Sequence, residues 1–132
     1  MGVQINTHSL ADRTLLGTPL EVETGKAAVV RLVATENMVV DQKGLVHGGF
    51  TFGLADYAAM LAVNHPHVVL GSAEARFLAP VRRGDVMVAR ARVVGVEGRR
   101  RMVEAGVWVG EKQVLEARFK CYVLDKHVLD DG

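Results

Sequence analysis

The chain has 132 residues, 49% of them hydrophobic, a formal net charge of +1, one cysteine and only 5% aromatic residues. That length suits one domain, taken as residues 1–132, with enough apolar material for a sizeable core. The near-neutral charge and sparse aromatics exclude the usual features of a nucleic-acid surface, so no nucleic-acid partner is expected, and a lone Cys121 rules out an intramolecular disulfide or a cysteine-based metal cluster.

Residues 1–18 are polar and mixed, and they read as a loop or a short helical lead-in closed by Gly17-Thr18-Pro19. They contain Asp12 and Arg13 and no long apolar run, which argues against a signal or transit peptide. Residues 20–24 alternate, Gly25-Lys26 signals a turn, and the valine- and alanine-rich stretch 26–35 reads as a strand. Residues 36–44, with Asn37, Asp41, Gln42 and Lys43, read as a strand end followed by a loop.

The spacing predicts one long helix over 48–64. Phe50, Leu54, Ala55, Ala58, Ala59, Met60, Leu61 and Ala62 point in nearly every direction around its axis, and a helix apolar all round is a buried one. Asn64, His65 and Pro66 end it, because proline disfavours helical geometry in the residue before it. The apolar stretch 50–63 is shorter than the ~20 residues a membrane span needs and has an acid inside it. No membrane association and a cytoplasmic location are therefore expected.

Four strand-like runs follow, at 69–81, 85–97, 99–109 and 112–124, separated by short polar turns such as Arg82-Arg83-Gly84-Asp85. Consecutive strands joined this way imply an antiparallel meander. In the last run Leu115, Ala117, Phe119, Cys121 and Val123 share one face, and Glu116, Arg118, Lys120 and Tyr122 share the other, so one face is packed and one is wet. Cys121 then reads as a small buried hydrophobe. One helix cannot bury all its sides on a flat sheet. Either the sheet curls around it or a second molecule covers the remainder. The fold class is α+β.

The acid in the helix is Asp56, the only charged residue between Lys43 and Glu74. An ionised carboxylate there must find donors, shift its pKa upward, or face a wet cleft. It reads either as an interface group bonded to a partner's backbone or as a general base or nucleophile at a cleft. The helix opens on His47-Gly48-Gly49. Glycines allow a ligand to approach the backbone, and the first helical N–H groups lack internal partners and carry the positive end of the helix dipole. Such N–H groups would polarise a carbonyl and stabilise an oxyanion, although two glycines also simply make a tight turn. Nine residues separate His47 from Asp56, about 13 Å of helical rise, too far for both to act on one carbonyl. A two-fold dimer resolves this by setting the helix start of one copy against Asp56 of the other.

Val46-His47-Gly48-Gly49 followed by Leu54-Ala55-Asp56 resembles the HGG-x6-D signature of the PaaI-type branch of hotdog-fold thioesterases, which includes phenylacetate-pathway and 4-hydroxybenzoyl-CoA-type enzymes. Arg76-Phe77-Leu78-Ala79-Pro80 and Gly84-Asp85 resemble that family's strand and turn after the helix. The resemblance covers roughly residues 36–124. It implies a curved antiparallel sheet wrapped around one central helix, in a homodimer often assembled as a dimer of dimers. It also implies hydrolysis of an acyl-CoA or related thioester without metal or other cofactor, CoA being part of the substrate. Asp56 would be nucleophile or general base, the Gly48 N–H the oxyanion contact, and His47 the group orienting the carbonyl or helix start. Gly49, Asp41, Ser72, Arg82 and Arg83 would line the substrate. Many relatives carry asparagine where this chain has Asp41, and an ionised acid cannot donate a hydrogen bond. Ser72 stands nearest to the hydroxyl that some relatives use to orient water; the plainer reading is a locally bonded strand hydroxyl.

Arg82-Arg83 and Arg99-Arg100-Arg101 sit at predicted turns; they are either solvated or, for one cluster, matched to the CoA phosphates. Arg76 and Glu74 share a face with Ser72, where a cross-strand ion pair is expected. His65 and His67 read as an exposed helix-end loop rather than a metal pair, and His8 and His127 as solvated tail residues. Trp108 either packs in an oligomer contact or lines the acyl pocket. Two other functions compete. A non-catalytic acyl-CoA-binding module would need no acid at the helix centre. A hotdog hydratase would need an Asp and a His together near the helix start.

Overall fold

β-Branched and alternating residues fill the second half of the chain, and there the backbone is extended. The computed structural model describes residues 3–130. Its elements are α1 (Arg13–Leu16), β1 (Thr18–Glu23), β2 (Ala27–Val33), a 3-10 turn (Glu36–Met38), α2 (Gly48–Val63), β3 (Val68–Phe77), β4 (Val86–Glu97), β5 (Arg100–Val109) and β6 (Lys112–Val123). Residues 36–38, expected as a strand end, form that 3-10 turn instead.

The six strands make one antiparallel sheet in the order β1-β2-β4-β5-β6-β3. β4, β5 and β6 are the expected meander. β3 is not part of it: it pairs with β6, from Val68 opposite Val123 to Phe77 opposite Leu115. The reason lies in the connection to β4. Residues 78–85 are too long for a hairpin turn, and they cross the helix start instead. On the way Leu78 N–H donates to Val114 O, Val81 O accepts from Val46 N–H, and Gly84 N–H donates to Ala34 O. This leaves β1 and β3 as the two edges.

Every strand approaches α2. The sheet bends because its ladders slip at four places, next to Pro19, Gly71, Val94 and Val114. Each such irregularity adds local bend and twist. The inner face is built from fully or nearly fully buried residues: Val30 and Leu32 of β2, Met87 and Ala89 of β4, Val103 and Val107 of β5, and Leu115, Phe119 and Cys121 of β6. Against them α2 sets Leu54, Ala58 and Leu61, none with any exposure. Truncating Leu54 or Leu61 to alanine would cost about 2–5 kcal/mol. The result is a hotdog fold, a curved sheet around one central helix.

The sheet does not cover the whole helix, and neither of the two expected solutions is complete. The chain's own N-terminal segment covers a further side, with Ile5, Ala11 and Leu16 packed on the core. Asn64, just past α2, holds that segment. Its Oδ1 accepts from Asn6 N–H at 2.7 Å, and its Nδ2 donates to Gln4 O at 3.3 Å and to Thr24 Oγ1 at 2.9 Å. Asn64 is 1% exposed and adopts the left-handed conformation with φ 53°, which ends α2 while its N–H still bonds Met60 O.

Candidate functional site

α2 is buried along most of its surface; besides Gly48 and Phe50 at its start, Gly49, Phe52, Gly53 and Asp56 are not fully covered. Their spacing is i, i+3, i+4, i+7, so they form a single open stripe along the helix. Asp56 sits in that stripe with Cys121 of β6 close by. Desolvation raises the Asp56 pKa from 3.8 to about 6. Burial, then the negative charge of Asp56, push the Cys121 thiol up to about 12. Cys121 is therefore a protonated packing group at neutral pH, as its reading as a buried hydrophobe implies.

Two buried side-chain oxygens have no hydrogen-bond partner among the described residues, Asp56 Oδ1 and the Tyr57 hydroxyl. Tyr57 has the Arg13 guanidinium nearby to answer it. Nothing comparable faces Asp56, whose shift is caused by burial alone. A carboxylate oxygen so placed needs a donor from outside the chain, or a proton.

The start of α2 is organised by His47. Its backbone is extended, as at a helix N-cap, and its Nδ1 accepts from Gly49 N–H at 2.8 Å. A backbone N–H can only donate, so the ring proton must lie on Nε2, facing outward as a donor. Phe50 N–H donates to His47 O. Gly48 N–H, by contrast, makes no hydrogen bond outside the helix among the described residues. Gly48 also lies close to β3: a Cβ there would stand 3.1 Å from the Phe77 ring. Phe77, 57% exposed, was not singled out as a site residue from the sequence.

Other expected site residues gather at the same end. Leu45 bridges to Arg82, and Arg83 N–H donates to Gly44 O, so the loop before α2 and the Arg82-Arg83 turn are one unit. Arg83 makes two hydrogen bonds of 3.0 Å to the Glu36 carboxylate, while the Arg82 guanidinium has no ion-pair partner among the described residues. Asp41 is exposed, and its Oδ1 accepts from Lys43 N–H at 3.0 Å and Leu45 N–H at 3.2 Å. It shapes the loop, a task an asparagine carbonyl would do equally well.

Ser72 stands apart from this group within the chain. It lies on the exposed edge strand opposite Lys120, on the outer sheet face, whereas its neighbour Ala73 lies opposite Phe119 on the inner one. On that outer face Arg76 pairs with Glu116 at 3.0 Å, the expected cross-strand ion pair. Trp108 also lies outward, across Gly106, where a Cβ would meet its ring at 2.5 Å. That position takes Trp108 away from the helix and from any pocket beside it. Arg99, Arg100 and Arg101 sit at the opposite end from His47 and bond to Asp125, Glu97 and the Gly98 and Arg100 carbonyls. His65 and His67 face each other at the end of α2, tied to local backbone groups. No helix among the described residues is long and apolar enough to cross a membrane.

Residues 43–116 match the family model of the thioesterase superfamily. Among curated proteins, a methylthioribose-1-phosphate isomerase of Aquifex aeolicus is 46% identical over 89% of this chain but only 25% of its own length. The transcription factor FapR of Caldanaerobacter subterraneus is 28% identical over 87% of this chain and 58% of its own length. The chain thus spans a quarter to about three-fifths of these relatives. Among solved structures, an uncharacterized protein of Pyrococcus horikoshii is 55% identical, with a TM-score of 0.94 over 98% of this chain and 99% of its own. A mutant of the phenylacetic acid degradation protein PaaI of Thermus thermophilus is 29% identical, with a TM-score of 0.76 over 85% of this chain and 97% of its own.

Proposed function

The chain belongs to the thioesterase superfamily, and on that premise we propose that it hydrolyses an acyl-CoA or related acyl thioester at a site shared by two copies. The observation that carries this reading is Asp56: a buried carboxylate oxygen without a donor among the described residues, on the open stripe of a mostly covered helix. In a two-fold pair the stripes would meet antiparallel. If Gly49 of one copy faces Asp56 of the other, the axis passes between Phe52 and Gly53, and both ends of the stripe are used at once. The missing side chain at the exposed Gly49 supports such a close approach. The exposed edge strand β3 supports the same pairing, since its free backbone groups are a template for a second strand.

In this scheme the thioester carbonyl accepts from Gly48 N–H, with the His47 Nε2–H beside it. Asp56 of the second copy either attacks the carbonyl carbon or takes a proton from an attacking water. Charge then gathers on the carbonyl oxygen, at the positive end of α2. Collapse breaks the C–S bond, CoA leaves as thiolate and takes up a proton, and free acid remains, after water cleaves the mixed anhydride if Asp56 attacked directly. No metal or other cofactor is part of the scheme. In this scheme the Arg82 guanidinium, which has no ion-pair partner among the described residues, meets a CoA phosphate. A cytoplasmic enzyme assembled as a dimer of dimers belongs to the same proposal.

The match to a transcription factor favours one other reading, a non-catalytic module, which we take as acyl-CoA-binding. Thiol release from a panel of acyl-CoAs separates the two. Turnover is expected for at least one substrate, reduced about 10²–10⁴-fold in Asp56→Ala and Asp56→Asn. No turnover of any substrate would replace the enzyme with the binding module, and unchanged turnover in Asp56→Asn would remove Asp56 from its role.

A further inference from the structure

Beside the helix start lies a groove of about 630 Å³, lined by Asp12, Leu15, Leu16, His47, Gly49 and Phe50. We infer that this groove is the acyl subsite of the proposed thioesterase, shaped for an uncharged, apolar acyl group, with α1 as its specificity wall. The inference rests on the thioesterase reading and deepens it.

Three observations carry it. The groove contains His47 and Gly49, the residues either side of the free Gly48 N–H, so an acyl chain leaving a carbonyl held there enters it directly. Its walls are leucine and phenylalanine, and Leu15 remains 36% exposed although its neighbour Leu16 packs on the core. Its polar groups are largely engaged: Asp12 Oδ1 accepts from Thr14 N–H at 2.8 Å and Thr14 Oγ1 at 2.6 Å, and His47 Nδ1 accepts from Gly49 N–H. The pantetheine arm of CoA carries two amides that require partners when buried, and this groove offers it few. An aliphatic or aryl acyl group requires none. An acyl group ending in a second carboxylate would meet apolar walls and the negative charge of Asp12.

The wall is held by fit rather than by polar contacts. Leu16 seats on α2 at Gly53, where a Cβ would stand 3.1 Å from Leu16 Cδ2. α1 therefore depends on a glycine that also belongs to the open stripe of α2.

The test is ligand binding by the Asp56→Asn protein, which holds substrate without turning it over, with CoA, hexanoyl-CoA and succinyl-CoA measured calorimetrically. Hexanoyl-CoA is expected to bind about a hundredfold more tightly than CoA, in line with the burial of several methylenes, and succinyl-CoA no more tightly than CoA. Adding Leu15→Glu, at a position 36% exposed and with retained α2 helicity checked by circular dichroism, should bring the hexanoyl preference to within about threefold of CoA. Val96→Glu, at an exposed position near the far end of β4, serves as control and should leave it intact. A hexanoyl preference unchanged by Leu15→Glu, or no preference in the parent, overturns the inference. A preference lost in Leu15→Glu in a chain that releases thiol from no acyl-CoA would sustain the subsite and overturn the thioesterase reading instead.

Discussion

Asp56 and Gly48 make opposite demands on the fold. The Asp56 pKa is raised from 3.8 to about 6 by burial, so its ionised form is less stable in the folded chain than in the unfolded one. The stability its neutral form contributes is complete below pH 3.8 and is lost as pH rises through about 6. The loss approaches about 3 kcal/mol above that pH. Asp56→Asn should therefore raise the denaturation midpoint at pH 8 and change it little at pH 4, as read by urea unfolding at both values. The same ionisation should govern activity, with kcat/KM falling about tenfold per pH unit below the Asp56 pKa. An equal midpoint for both proteins at pH 8 would contradict the burial penalty.

Gly48 is the first helical residue after the His47 cap, a position where proline is well tolerated. His47 has φ −63° and ψ 131°, which suits a residue before proline. Since Gly48 N–H bonds nothing among the described residues, Gly48→Pro would delete the proposed oxyanion donor at no cost in helix hydrogen bonds, with the exposed Phe77 ring giving way. Circular dichroism should show α2 retained, with kcat reduced about 10²–10³-fold. Retained kcat would place the oxyanion elsewhere. The acid and the glycine pair were legible in the sequence because a charge in an apolar helix and a paired glycine at its start are both anomalies. The role of His47 as cap was not, because histidine is not a usual N-cap residue, and the Phe77 ring over Gly48 joins positions 29 residues apart that share no local pattern.

At the scale of elements, the helix and the strands β2 to β6 follow from periodicity and turn residues. The partner of β3 does not, because local alternation is the same whichever strand lies alongside. Pairing was decided by the crossing segment 78–85, whose bonds run to Ala34, Val46 and Val114. The N-terminal cover was illegible for a similar reason. Asn64 reads as a helix terminator, and its bonds to Gln4, Asn6 and Thr24 span 40 to 60 residues. This strap makes a prediction of its own. Asn64→Ala leaves several backbone and side-chain partners unpaired in a buried place and puts a Cβ without a bonding side chain in the left-handed region. It should cost about 2–4 kcal/mol in unfolding free energy. Asn64→Gly should cost less, because glycine relieves the backbone part. Equal losses would assign the whole effect to the hydrogen bonds.

For the whole molecule, the account turns on assembly. About 13 Å of helical rise between His47 and Asp56 was readable from spacing alone. The curved sheet then adds what spacing could not supply: the one open stripe of α2 carries both ends of the proposed site, next to the exposed edge β3. The outer face bears Trp108 and the ion pairs of Arg76 with Glu116 and of Arg92 and Arg118 with Glu104.

The central claim, that each site takes its N–H from one copy and its carboxylate from the other, is tested by mixing. Asp56→Asn and Gly48→Pro chains, each nearly inactive alone, are unfolded together in equal amounts, refolded and assayed for thiol release. Half of the random dimers would be mixed, and each mixed dimer would hold one intact site and one doubly defective site. The account predicts recovery of about a quarter of wild-type turnover. Activity no higher than the average of the two parents would contradict it, and would return both halves of the site to a single chain.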